Sequence, residues 1–127
     1  MATVTTADQA SPVGNKLYTV TESSTKITDP APTMDTSSGS IIQVEIDNTS
    51  NSSAAYLNLY DVAGGSAVTV GTTDESYVFK APASSKVTYS CPDGSGYANG
   101  LKSAIVATPG SSIGPGATVT AYVLVST

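Results

Sequence analysis

The chain has no histidine, no arginine and no tryptophan, and only one cysteine and one phenylalanine in 127 residues. Each shortage narrows the field. Without histidine the commonest general base is missing. Serine and threonine abound, but none has a base to match it, and Cys91 lacks the histidine that would make it a nucleophile. Without arginine, and with only Lys16, Lys26, Lys80, Lys86 and Lys102 to carry positive charge at a net charge of −5, phosphate recognition has neither the guanidinium fork nor a basic patch to work with. The composition argues against nucleic-acid binding and against docking on an anionic membrane. One cysteine excludes an intramolecular disulfide, and Cys91 reads as a buried or idle thiol. No apolar run approaches the 18 residues of a membrane helix. The start, Met-Ala-Thr-Val-Thr-Thr, shows neither a basic nor an apolar leader region, so synthesis in a cytoplasm without a secretion signal is expected.

Charged residues make up only 12% of the chain and apolar ones 39%. The balance is filled by 19 Ser and 18 Thr. Threonine suits strands and serine suits turns, whereas helix formers are scarce and no dozen-residue stretch has helical spacing. The chain is long enough for one domain with its own core.

The clearest pattern runs from Ile41 to Tyr60. Ile42, Val44 and Ile46 alternate with Gln43, Glu45 and Asp47, the period of a strand with one buried face. Asn48 to Ser53 are all turn formers. Ala55, Leu57 and Leu59 then alternate with Tyr56, Asn58 and Tyr60. Both strands, about 41–47 and 54–60, are predicted to be central. Further strands are predicted at 16–21, 67–70, 76–80, 86–90, 100–108 and 117–126, with 25–28 as a hairpin partner of the first. The last, with Val119, Ala121, Val123 and Val125 on one face, reads as the longest and most regular. Residues 29–40, with Pro30 and Pro32, read as a long loop, and Cys91 to Gly96 as a dense one. Residues 1–14 lack a sustained pattern and read as an extended N-terminal arm ahead of a domain at 15–127. Eight or nine short antiparallel strands with turns every 8–12 residues predict an all-β fold, a single β-sandwich of jelly-roll type. An immunoglobulin-like sandwich is the alternative, without its marker cysteines and tryptophan.

Candidate sites are few, and a plain reading competes with each. Glu45 and Asp47 share a strand face about 7 Å apart, a spacing that paired carboxylates could use on glycosides; a solvated face explains them more simply. Asp29, Asp35, Asp61, Asp74 and Asp93 sit where aspartate forms turns. Asp93-Gly94-Ser95-Gly96 has too few oxygen-bearing positions for a calcium loop, and Asp74-Glu75 is a lone acidic pair. Asn48-Thr49-Ser50 and Asn51-Ser52-Ser53 have the glycosylation sequon form, but both read as one polar turn. Tyr56, Tyr60 and Tyr122 lie opposite the aliphatic rows. They would either form an exposed row that binds sugar or a protein, or belong to a second, partly covered sheet face. No catalytic, cofactor-binding or metal-binding residue is assigned, no cofactor is expected, and a non-enzyme is predicted.

From Ser53 onward the chain resembles small virion proteins of tailed bacteriophages. The resemblance is carried by Ala54-Ala55-Tyr56-Leu57-Asn58-Leu59-Tyr60-Asp61, Val68-Thr69-Val70-Gly71-Thr72-Thr73 and Val78-Phe79-Lys80-Ala81-Pro82-Ala83. It continues through Pro92-Asp93-Gly94, Asn99-Gly100-Leu101, Ala104-Ile105 and the strand from Ala117 to Val125. Where that group has Phe-x-x-Gly-x-x-Phe, this chain has Cys91-x-x-Gly94-x-x-Tyr97. The first 50 residues lie outside the resemblance. It implies a β-sandwich structural protein of the virion, above all a capsid decoration (cement) protein. Such a protein would be a homo-oligomer, a trimer in the leading reading, seated on the major capsid protein. Residues 1–14 and 29–40 would clasp a neighbour, and the rows around Ile42, Leu57 and Val123 would form the core. A tail, neck or fibre component and a carbohydrate-binding or adhesin module are the alternatives.

Overall fold

A computed structural model describes residues 2–8, 14–27 and 30–127. Among the described residues nine strands build two antiparallel sheets: β1 (Thr3–Asp8), β2 (Lys16–Glu22), β3 (Thr33–Asp35), β4 (Gly39–Asp47), β5 (Ala55–Tyr60), β6 (Tyr77–Ala81), β7 (Lys86–Tyr97), β8 (Leu101–Val106) and β9 (Val119–Ser126). The five-stranded sheet runs β1-β2-β9-β4-β7 and the four-stranded sheet β3-β8-β5-β6. The pairs β2/β9, β3/β8, β4/β7 and β5/β6 are nested one inside the next. They fall alternately into the two sheets, which is the winding of an eight-stranded jelly roll with β1 added at one edge. The predicted all-β sandwich stands.

Alternation explains the main core. Val119, Ala121, Val123 and Val125 of β9, Val44 and Ile46 of β4, and Leu57 and Leu59 of β5 all point between the sheets and are fully buried. β4 and β5 are both interior strands, as their apolar faces predicted. The β4 row departs from strict alternation at its start. A register shift between Ile41 and Gln43 buries Ile41 and leaves Ile42 half-buried. A bulge puts two residues opposite one and moves the inward face by one position.

Several boundaries differ from the sequence expectation. Residues 3–8 are not a detached arm. They pair in unbroken register with β2, from Thr3↔Thr21 to Asp8↔Lys16, so the sandwich takes in part of the segment ahead of residue 15. The middle of that segment, 9–13, lies outside the described residues. The 29–40 loop contains β3, a three-residue strand too short to show periodicity. The hairpin partner expected at 25–28 is only an isolated bridge, Lys26↔Ile113, and residue 28 is outside the described residues. Residues 67–70 are not a strand. The dense loop after Ser90 is instead the second half of β7, which at 12 residues is the longest described strand; β4, at 9, also exceeds β9, at 8.

A second, smaller core lies outside the four-stranded sheet. Tyr60, Ala104 and Val106 point outward from β5 and β8, and Ala31, Val68 and Val70 from the connecting loops cover them. Side-chain and backbone hydrogen bonds tie that cover down. Asn58 Nδ2 donates to Glu75 Oε1 at 3.3 Å, Lys102 Nζ to the Gly64 carbonyl at 3.2 Å, and the Ala31 N–H to the Val68 carbonyl at 3.1 Å. Gly100 allows the close approach of this cover to β8. Its φ is +146°, and a Cβ there would stand 2.7 Å from the Asp35 carbonyl oxygen and 2.8 Å from that of Val62.

Candidate functional site

The residues that alternate outward from the five-stranded sheet form a grid. One row reads Ala7, Leu17, Leu124, Gln43, Ser90. The next reads Thr5, Thr19, Tyr122, Glu45, Thr88. The third reads Thr3, Thr21, Thr120, Asp47, Lys86. Every one of these side chains is half-buried or exposed, and none joins either core. Six are threonines, because threonine offers the pleat a β-branched stem and water a hydroxyl.

The grid has two halves of different character. Over β1, β2 and β9 it is uncharged, with threonine hydroxyls, Leu17, Leu124 and Tyr122; the Thr21 and Thr120 hydroxyls lie 3.4 Å apart. Over β4 and β7 it carries Glu45, Asp47 and Lys86. Lys86 Nζ lies 3.2 Å from Glu45 Oε1, and this contact raises the lysine pKa. Asp47 Oδ1 accepts from the Thr49 hydroxyl at 2.6 Å and the Thr49 N–H at 3.1 Å, and these bonds hold its carboxyl below the usual range. Where the halves meet, Leu17, Gln43, Glu45, Tyr122 and Leu124 line a shallow depression of about 320 Å³. Its floor is apolar and aromatic, and one carboxylate and one amide stand at its rim. Such a face can bind, by area and by a few polar contacts.

The other sequence candidates have local duties. Glu45 and Asp47 do share the open face, but each has its own partner. The tyrosines do not form one row. Tyr60 is fully buried in the second core and Tyr56 packs against it, whereas Tyr122 is on the opposite sheet. Strand alternation placed all three away from the main core, but it could not tell that they belong to different sheets. Asn48 and Asn51 are buried. Asn48 Nδ2 donates to the carbonyls of Ser53, Ala81 and Pro82 at 2.9, 3.3 and 3.0 Å, and Asn51 Oδ1 accepts the Ser53 N–H at 3.2 Å. The sequon asparagines are buried in an otherwise exposed turn, closed to a glycan. Asp61 accepts the N–H groups of Ala98 and Asn99 at 2.8 to 3.1 Å. Burial works against its charge, but those bonds and the Gly100 N–H outweigh it and hold the carboxyl below its usual range. Asp35 receives the Tyr97 hydroxyl at 2.8 Å; burial and this bond push the Tyr97 hydroxyl pKa up. Among the described residues no three of His, Cys, Asp and Glu stand together as metal ligands. Cys91 is half-buried in β7.

One Gly-x-Ser-x-Gly spelling, Gly110-Ser111-Ser112-Ile113-Gly114, lies between β8 and β9. A nucleophile elbow joins a strand to a helix, whereas this segment leads from strand to strand, and Ser111 Oγ accepts the Ile113 N–H at 3.0 Å. It is a turn.

No protein family, curated protein or solved structure compared with the chain matches it.

Proposed function

We propose that this chain is a non-enzymatic structural protein of a tailed-phage particle, a capsid decoration protein that seats on the major capsid protein and stabilises the head. The observation that carries the binding part of this reading is the open grid on the five-stranded sheet. It spans five strands, is uncharged over three of them, and lies opposite a face that the chain's own loops already cover. The assignment to a virion rests on the resemblance after Ser53. Attachment through a broad, modest face gains strength when symmetry repeats it over a shell.

The test is the copy number of this protein in purified particles, measured by mass spectrometry against the major capsid protein. Hundreds of copies are expected for a decorated head. A few to a few dozen would move the protein to the tail, neck or a fibre. Absence from particles overturns the reading.

A second reading, a carbohydrate-binding module, is favoured by the depression around Tyr122. An aromatic ring and two leucines beside Gln43 and Glu45 would suit the apolar face and the hydroxyls of a sugar. Retention on a polysaccharide column that Tyr122→Ala abolishes would bring it forward.

A further inference from the structure

Among the described residues, four strands of this sandwich have only one neighbour: β1 and β7 in one sheet, β3 and β6 in the other. Unpaired strand edges are templates for further strands, and proteins normally blunt them by bulges, shortness or cover. Three of the four are blunted here. β7 is interrupted. Ser90 pairs with Gln43 and Ser95 with Ile41, so Cys91 to Gly94 bulge out opposite Ile42. β6 is clasped to β7 across the sandwich: the Tyr89 hydroxyl donates to the Lys80 carbonyl, and the Tyr77 hydroxyl to the Gly96 carbonyl at 2.7 Å. β3 has three residues and an irregular register.

Among the described residues, β1 has none of these devices. Its six residues pair with β2 without a register break. The run Thr3-Val4-Thr5-Thr6-Ala7 contains no charge, no proline and no glycine. Its outer edge therefore offers a straight row of backbone donors and acceptors.

We propose that β1 pairs antiparallel with β1 of a second copy of this chain, joining two five-stranded sheets into one of ten strands. A second copy is the occupant favoured here for two reasons. An uncharged strand meets no like-charge repulsion when it pairs with itself. An antiparallel pairing also closes on a two-fold axis, so it ends at a dimer and does not propagate. The register follows from alternation. Residues directly opposite must point to the same face, so the axis passes through a residue and not between two. Centring on Thr5 keeps the uncharged run within itself: Thr5 faces the second copy's Thr5, Thr3 faces Ala7, and Val4 faces Thr6. The axis stands perpendicular to the sheet, so the two open grids lie side by side on one surface. This pairing is independent of the virion reading, because it concerns the isolated chain.

The test is sedimentation equilibrium of the full chain over a concentration series, with Thr5→Lys, Thr5→Glu and their equimolar mixture. Thr5 is exposed, so an unchanged far-UV circular dichroism spectrum is expected for both variants. The wild type should approach twice the 12.7 kDa chain mass. Each variant alone should show a dimer dissociation constant raised roughly fivefold or more by the like charges on the axis, and the mixture should return to wild-type affinity or better. A wild type that stays monomeric throughout, a trimer, single variants that dimerise like the wild type, or a mixture no tighter than its components would each overturn the pairing.

Discussion

Tyr60, Ala104 and Val106 point outward from one sheet; Thr19, Thr120 and Tyr122 point outward from the other. The first set is buried beneath Ala31, Val68 and Val70, and the second is left half-open. Both sheets alternate in the same way, so the difference lies in what each strand places on its outer side. Where the outer residues are large or apolar, leaving them in water forfeits about 25 cal/mol per Å² of buried area, and the long β5–β6 connection folds over them. Where they are mostly polar, with threonines that satisfy water and pleat at once, less apolar area is left to cover. The covered face therefore belongs to stability and the open one is available for binding.

Four substitutions sharpen or break this contrast. Tyr60→Ala removes a fully buried ring from the covered face and should cost about 3–5 kcal/mol in urea unfolding. A loss below about 1 kcal/mol would mean that the cover contributes little. Gly100→Ala forces a side chain into a left-handed backbone against two carbonyl oxygens and should cost about 1–3 kcal/mol. An unchanged midpoint would show that the cover is loosely seated.

Asp61→Asn tests the anchor at the start of the covering segment through pH. The folded carboxyl titrates below its unfolded value of 3.8, so the ionised form is the one that folding favours. Its contribution is complete above pH 3.8 and disappears as pH falls through the lower folded value. The wild type should exceed Asp61→Asn in stability at pH 6, and the gap should close under stronger acid. A constant gap would assign the effect to packing. The smallest effect is expected on the open face: Tyr122→Ala should stay within about 0.5 kcal/mol of wild type while weakening whatever that face binds. A large loss of stability would make it part of the fold after all.

The sequence revealed the fold class because alternation is a local signal. Val119, Ala121, Val123 and Val125 declare one buried face of β9, and the structure buries all four. What failed was whatever depends on partners. Ile42 fits the period and is displaced by a bulge that only β7 and β9 define. Val68 and Val70 alternate like a strand, yet they belong to the β5–β6 loop and are buried against Tyr60. β3 has three residues and no period to read. β1, Thr3–Asp8, mixes threonines with one valine and becomes a strand because β2 is beside it. The candidate face suffered likewise. Thr19, Tyr122 and Glu45 lie in one row but are up to 103 positions apart in the chain, and no spacing rule connects them.

β9 lies between β2 and β4 in the five-stranded sheet, and its first residue, Val119, follows the last of β4, Asp47, by 72 positions. The Asn15 side chain meets Thr127 by hydrogen bonds at 2.9 and 3.0 Å, across 112 positions. β2 and β4 therefore leave the ribosome well before the strand that joins them. Until then β2 and β4 each present an open edge to the other nascent chains around them. Folding of this domain is governed by long-range closure, and its yield in the cell depends on how crowded the chains are while they wait for β9.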